Sequence, residues 1–474
     1  MRSRNLALLA GIVFGTTGMI CGAGQVYRPV IDGPWWRVAG DPDLGEYTRA
    51  KQQPVDFGVW QASDETWQLW SCIRHTGCGG NTRLLYRWEG GKLTDANWTP
   101  MGIAQMARTD LGETLGGQQA PHVVREGNLY YMAYGDWVSI CFSTSSDGKK
   151  FTRVIQPGGK TGVFSEGPGL NSRDAMLLRS GGLWYCYYTA HNREHGYDLC
   201  RTTYDLSSYK WSHSSVVAYG GRSGDYRWSA ECPHVVELSP GNYYLFRTQR
   251  YGANAQASVY HSTNPLNFGI DDDKGFLCTL PVAAPEIIFH DEQYYIASLM
   301  PSLKGIHIAK LKWVEHKDSI GKAVFDFDKA EVRAKWKVKE GDLAGVFTTS
   351  TRSNFVPASR YFIATSETPQ GKLNDDLTGI IESPTFTIED DGYILLVSGG
   401  SDMGATYVTL VETEGNRELV RLVGKQSNRF DSEYVDTRKW RDKKVFIRIV
   451  DKARGGWGHI NFGGIYQSLG TGKK

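Results

Sequence analysis

The chain has 474 residues and a formal net charge of +2. It contains no dense Lys/Arg tract, so it lacks the electrostatic footprint of a nucleic-acid binder. At this length it can hold two or three domains around large buried cores. Trp and Tyr are abundant, at 15 and 25 residues. They suit interlocked β-sheet packing, and they also suit stacking on sugar rings.

The first residues, MRSRNLALLAGIVFGTTGMICGAGQ, read as a secretory signal. Arg2 and Arg4 supply a positive start, Leu6 to Phe14 a short apolar core, and small residues a cut after Ala23. This predicts a secreted or periplasmic protein with no integral membrane span. Cys21 raises a lipoprotein cut as an alternative, although Gly18-Met19-Ile20 is a poor match for one. Of the other cysteines, Cys72 and Cys78 are placed to close a small loop by a disulfide. Cys186 and Cys232 lie in apolar runs and read as buried thiols. No Cys/His spacing suits a zinc site, and neither metal nor cofactor is expected.

Helical periodicity is nearly absent. Short runs of Tyr, Trp, Val and Ile alternate with Gly, Asn, Asp and Ser clusters, which predicts an all-β chain. One unit recurs: an apolar strand, a polar turn and an aromatic strand. Its copies are VDFGVWQASDETWQLWSCI from Val55, QAPHVVREGNLYYMAYG from Gln119 and RDAMLLRSGGLWYCYYTA from Arg173. ECPHVVELSPGNYYLFRT from Glu231 and AAPEIIFHDEQYYIASL from Ala283 complete the series. A spacing of roughly 55 residues suits four-stranded propeller blades. Five copies predict a five-bladed β-propeller over residues 24–318, after a signal peptide at 1–23. Beyond Phe325 the repeat stops. New alternating strands, such as YILLVSGG from Tyr393 and KVFIRIVD from Lys444, predict a C-terminal β-sandwich accessory domain over 319–474.

In a propeller the first strands line the axis. Asp56, Ala120, Asp174, Glu231/Cys232 and Ala284 should therefore converge there, with the alanines leaving room for a ligand. Three converging carboxylates, Asp56, Asp174 and Glu231, point to cleavage of glycosidic bonds. One acid protonates the leaving oxygen, a second attacks or activates water, and a third tunes the pair. Gln119, His122, Arg173, His234 and Glu286 are expected to bind substrate. His75, Asp136, Trp137, His191 and Arg247, at segment ends, are expected on the pocket rim, and Asp41 stands in reserve for Asp56.

Arg173-Asp174 followed by Ala-Met-Leu-Leu resembles the RDP motif, and Glu231-Cys232-Pro233 resembles the ECP motif, of the five-bladed glycosidases in glycoside hydrolase families 32 and 43. The resemblance covers roughly residues 50 to 315. It implies that Asp174 stabilises the transition state, that Glu231 is the general acid, and that Asp56 is the first-blade nucleophile or base. The first blade reads Val-Asp-Phe-Gly-Val in place of Asn-Asp-Pro-Asn-Gly, and Ala175 replaces the motif's proline, so the resemblance is to a divergent relative. The expected partner is an oligo- or polysaccharide of fructoside, arabinofuranoside or xyloside type, cleaved by a monomeric enzyme. The alternative is a non-catalytic carbohydrate-binding propeller.

Overall fold

A computed structural model describes residues 25–167, 169–316, 319–343, 347–348, 361–368, 370 and 372–469. The expected signal segment and Cys21 lie outside the described residues. Among these, no helix is long and apolar enough to cross a membrane.

The five repeat copies form five separate sheets, antiparallel throughout except where Gly269–Ile270 adds a parallel strand to the outer edge of the third. Their innermost strands are Gln53–Gln61, Gln119–Glu126, Asn171–Ser180, Glu231–Ser239 and Glu286–His290. Each is followed by an aromatic-rich second strand such as Leu183–His191, buried at seven of nine positions. Burial on both faces explains why these strands lose the alternation of a half-exposed sheet: each blade packs against its neighbours. Tyr131, Ala133 and Phe142 of the second blade, for example, share a core with Ala175, Leu177 and Trp184 of the third. Many of the Trp and Tyr residues are spent in this way.

The ring closes through a strand that the repeat does not reveal. Tyr27–Gly40, at the start of the chain, pairs antiparallel with Gly305–Glu315 as the outer strand of the fifth blade. Its register runs from Tyr27 opposite Glu315 to Gly40 opposite Gly305. Both ends of the propeller segment are thereby held in one sheet, and ring closure leaves only short protected edges.

Two further sheets of six strands form the sandwich. Tyr393, Leu395 and Val397 from one sheet meet Val408, Leu410, Ile447 and Ile449 from the other in a common core. Two arginines join the propeller to this unit. Arg28 Nη2 donates to the Tyr434 carbonyl at 2.9 Å, and Arg250 Nη2 donates to the Lys425 carbonyl at 2.9 Å.

The disulfide expected between Cys72 and Cys78 is not formed; both are free thiols. Cys72 lies inside a buried strand and its thiol faces the Gln118 carbonyl at 3.3 Å, while Cys78 sits in the following turn beside Thr76. Cys186 is a buried thiol, as its apolar surroundings predict.

Candidate active site

A β-bulge recurs at the same place in the innermost strands. The pairing register slips between Val55 and Phe57, Gln119 and His122, Arg173 and Met176, and Glu231 and His234. At the bulge the backbone turns to positive φ at Asp56 (37°), Asp174 (57°) and Cys232 (48°), and Ala284 (48°) has the same twist just before the fifth blade's inner strand. Bulges re-aim side chains. A left-handed conformation outside glycine costs about 1–2 kcal/mol per residue, strain typical of functional sites. Asp tolerates it better than Cys or Ala.

This geometry resolves the Glu231/Cys232 position. Cys232, not Glu231, is the structural equivalent of Asp56 and Asp174. Glu231 sits one residue earlier in the strand and reaches the cavity above the ring. The expected room beside Ala120 and Ala284 is also smaller than predicted. That axial space measures about 20 Å³, walled by Asp56, Asp174, Cys232 and Glu286 among others, and suits a single water. A sugar-sized cavity of about 620 Å³ lies above it, walled by Asp56, Gln119, Trp137, Arg173, Trp228 and Glu231, with Tyr251 and further arginines.

The three predicted acids are brought together through short links. Cys232 N–H donates to Asp174 Oδ2 at 3.3 Å, and the Cys232 thiol donates to Asp56 Oδ1 at 3.3 Å. The Tyr251 hydroxyl lies 3.2 Å from Asp56 Oδ1 and 3.5 Å from Glu231 Oε2. Arg173 ties the other two. Its guanidinium donates to Glu231 Oε1, approaches Asp174 Oδ2 at 3.4 Å and donates to Asn171 Oδ1 at 2.7 Å. All three acids are buried. Burial, and then the charge on Asp56, push the Asp174 carboxyl above the carboxylate range against the opposing pull of Arg173.

The second group of predicted residues divides. Gln119 is buried on the cavity wall, and neither its amide nitrogen nor its oxygen has a protein partner. Arg173 lines the cavity beside it. His122, His234 and Glu286 lie further along the inner strands, past the acid ring, and do not wall the larger cavity. They gather closely enough to be weighed as a metal site, but the ring nitrogens argue against one. His122 Nδ1 accepts from Leu177 N–H and His234 Nε2 accepts from Ile287 N–H, each at 3.2 Å. A neutral imidazole then carries its proton on the remaining nitrogen. The His234 proton therefore points at Glu286, 3.6 Å away. A cation there would need both rings as imidazolates. Burial keeps His122 neutral, down to about 4.

Of the rim residues, Trp137 and His191 wall the cavity. Trp137 does so at φ 84°, a strained conformation for a bulky side chain. His75 faces a separate cavity. Asp136 is spent on the backbone N–H groups of Val138 and Ser139, and Arg247 pairs with buried Asp198 at 3.0 Å. Asp41 is held by Lys304 at 2.8 Å and by Gln52, away from the acids. Arg83, Trp228, Arg250 and Tyr251 are cavity residues that the repeat reading missed. Arg250 ends the fourth blade's second strand and Tyr251 follows it, where the segment-end logic that selected His75 and His191 would have found them.

No protein-family model matches the chain, and no curated protein matches it. Solved structures similar to it include a thermostable family-43 glycoside hydrolase, 16% identical, covering 57% of this chain and 92% of that one at a TM-score of 0.43. A GH32 β-fructofuranosidase of Bombyx mori is 13% identical, covering 93% of this chain and 94% of that one, also at 0.43. An exo-β-1,3-galactanase of Phanerochaete chrysosporium is 11% identical, covering 92% and 99%, at 0.38.

Proposed function

We propose that the chain is a glycoside hydrolase whose reaction uses Asp56, Asp174 and Glu231 at the mouth of the propeller axis. The observation that carries this reading is the Tyr251 hydroxyl, within 3.2 Å of Asp56 and 3.5 Å of Glu231. One small group touches both carboxylates. Their nearer oxygens are therefore within about 7 Å of each other, a span that fits two carboxylates flanking one glycosidic bond. That ceiling admits both retaining and inverting geometries.

The roles follow from surroundings. Glu231 Oε1 is taken by Arg173, so Oε2 is the oxygen that can hold the transferable proton and pass it to the leaving group. Asp56 faces it from the first blade and either attacks the anomeric carbon or activates water. Asp174, buried below, accepts a hydrogen bond from the main-chain N–H of Cys232 and adjusts the charge of the pair. Gln119 offers an unspent donor and acceptor to sugar hydroxyls, and Trp228 and Trp137 offer ring faces. The substrate is an oligo- or polysaccharide, and the protein acts outside the cytoplasm.

The test is hydrolysis of a panel of fructosides, arabinofuranosides, xylosides and galactosides by the full chain and by Asp56→Asn and Glu231→Gln. The reading predicts turnover on at least one substrate and a loss of at least about 10²-fold in each variant. Full turnover in both variants would show that the site is elsewhere.

A further inference from the structure

The cavity above the acid ring carries more positive than negative charge. Arg74, Arg83, Arg173 and Arg250 line it, against the carboxylates of Asp56 and Glu231. His191 adds none, because burial and the neighbouring Arg173 charge bring it down to about 4. Arg173 is fully engaged with Glu231, Asp174 and Asn171, but the other three arginines are not matched in this way.

Arg83 is mostly buried, with a side chain 17% exposed, and its one ion-pair contact among the described residues is Asp56 Oδ2 at 4.0 Å. No described residue accepts a hydrogen bond from its guanidinium, which lies over the Trp137 ring at 5.1 Å. Arg250 has no ion pair among the described residues. Its Nη2 is held by the Lys425 carbonyl at 2.9 Å, while its buried Nη1 has no partner. Burial without a counter-ion pulls the Arg250 guanidinium below its ordinary range. Arg74 spends one nitrogen on Gln53 Oε1 at 2.9 Å and forms no ion pair among the described residues. A buried cation without a counter-ion, as at Arg250, is costly, and Arg83 has donors to spare beyond its distant contact with Asp56. Guanidinium groups left in this state around one cavity are matched to a planar or tetrahedral oxyanion.

We propose that the sugar this pocket binds is anionic, bearing a carboxylate or a sulfate ester that is held by Arg83 and Arg250. The proposal rests on the glycosidase reading for its location and deepens it by naming the substrate class. The aromatic faces and Gln119 take the neutral part of the ring; the arginines take the charged substituent. The sandwich takes part in this recognition, because the Lys425 carbonyl fixes one half of the fork of Arg250, a side chain that lines the cavity.

The experiment is calorimetric binding to the full chain, which requires no turnover. The ligands are trigalacturonate, glucuronate-bearing xylotriose and a sulfated galactotriose, each measured against its carboxyl-reduced or desulfated counterpart. At least one anionic ligand should bind about tenfold or more tightly than its neutral counterpart. The matched pairs separate the carboxylate from the sulfate. Arg83→Gln and Arg250→Gln should each narrow that preference and leave the affinity for the neutral counterpart within about twofold. Two separate variants guard against a folding defect in either.

If no anionic ligand outbinds its neutral counterpart, or if both variants keep the full preference, the proposal is overturned. Anionic preference without hydrolysis of any ligand would uphold it and defeat the glycosidase reading. Hydrolysis of neutral sugars with no anionic preference would do the reverse.

Discussion

Replacing Arg173 by Met should destabilise the propeller in a pH-dependent way. The side chain is 3% exposed and joins Asp174, Glu231 and Asn171. Removing one partner of a buried ion pair costs about 3–5 kcal/mol. The lower figure applies here, because the cavity gives Glu231 some access to water. Asp174 adds the pH dependence. Its carboxyl is already raised by burial and by Asp56, and Arg173 opposes both. Without Arg173 it rises further, so the folded state holds this proton more tightly than the unfolded chain does. A group raised in this way loses its stabilising contribution as pH climbs from the unfolded value, about 4, through the folded one. Burial and Asp56 hold the native carboxyl at about 8, so it is protonated in both proteins at about pH 6; the loss in Arg173→Met should therefore be about 3 kcal/mol there and larger at about pH 9. Urea unfolding followed by tryptophan fluorescence reads this directly, since 12 of the 15 tryptophans precede residue 316. A loss below about 1 kcal/mol at about pH 6, or one that does not grow by about pH 9, would refute the reasoning.

Tyr251→Phe removes the hydroxyl shared by Asp56 and Glu231; turnover should fall about tenfold to a hundredfold with the unfolding midpoint nearly unchanged, as measured by steady-state kinetics and thermal melting. Gly58→Ala should destabilise the protein by roughly 1–3 kcal/mol, because a Cβ there would meet the Pro121 carbonyl oxygen of the next blade at 2.3 Å. Denaturant midpoints at constant m-value check it. Gln119→Ala should raise KM several-fold with a smaller change in kcat, since its side chain lines the cavity and its amide has no protein partner.

Much of the architecture is legible in the sequence, because each blade begins with the same local pattern. APHVV, CPHVV and APEII announce the innermost strands, and the Tyr/Trp runs that follow announce strands buried on both faces. The closing strand Tyr27–Gly40 is not legible in this way. Its partner Gly305–Glu315 lies at the other end of the propeller segment, and no turn or repeat links the two. The recurrent bulge escapes for another reason: one extra residue in a strand leaves the apolar pattern intact while shifting which side chain meets the axis. Hence Asp56 and Asp174 are placed correctly by repeat position alone, whereas Glu231 and Cys232 are separated only by backbone geometry. Apart from Arg173, which sits on an innermost strand, the arginines of the cavity come from second strands and the segments after them, where sequence carries no periodic signal for burial or charge balance.

In the proposed reaction Glu231 and Asp56 divide the labour, and leaving-group chemistry separates their parts. Once a hydrolysed sugar is known, turnover of its natural linkage should be compared with that of its 2,4-dinitrophenyl glycoside, whose leaving group needs no proton. Glu231→Gln should lose the natural linkage by at least about 10²-fold and keep most activity on the aryl glycoside, while Asp56→Asn should lose both. Equal losses on the two substrates in Glu231→Gln, or an Asp56→Asn variant that keeps either activity, would contradict the account.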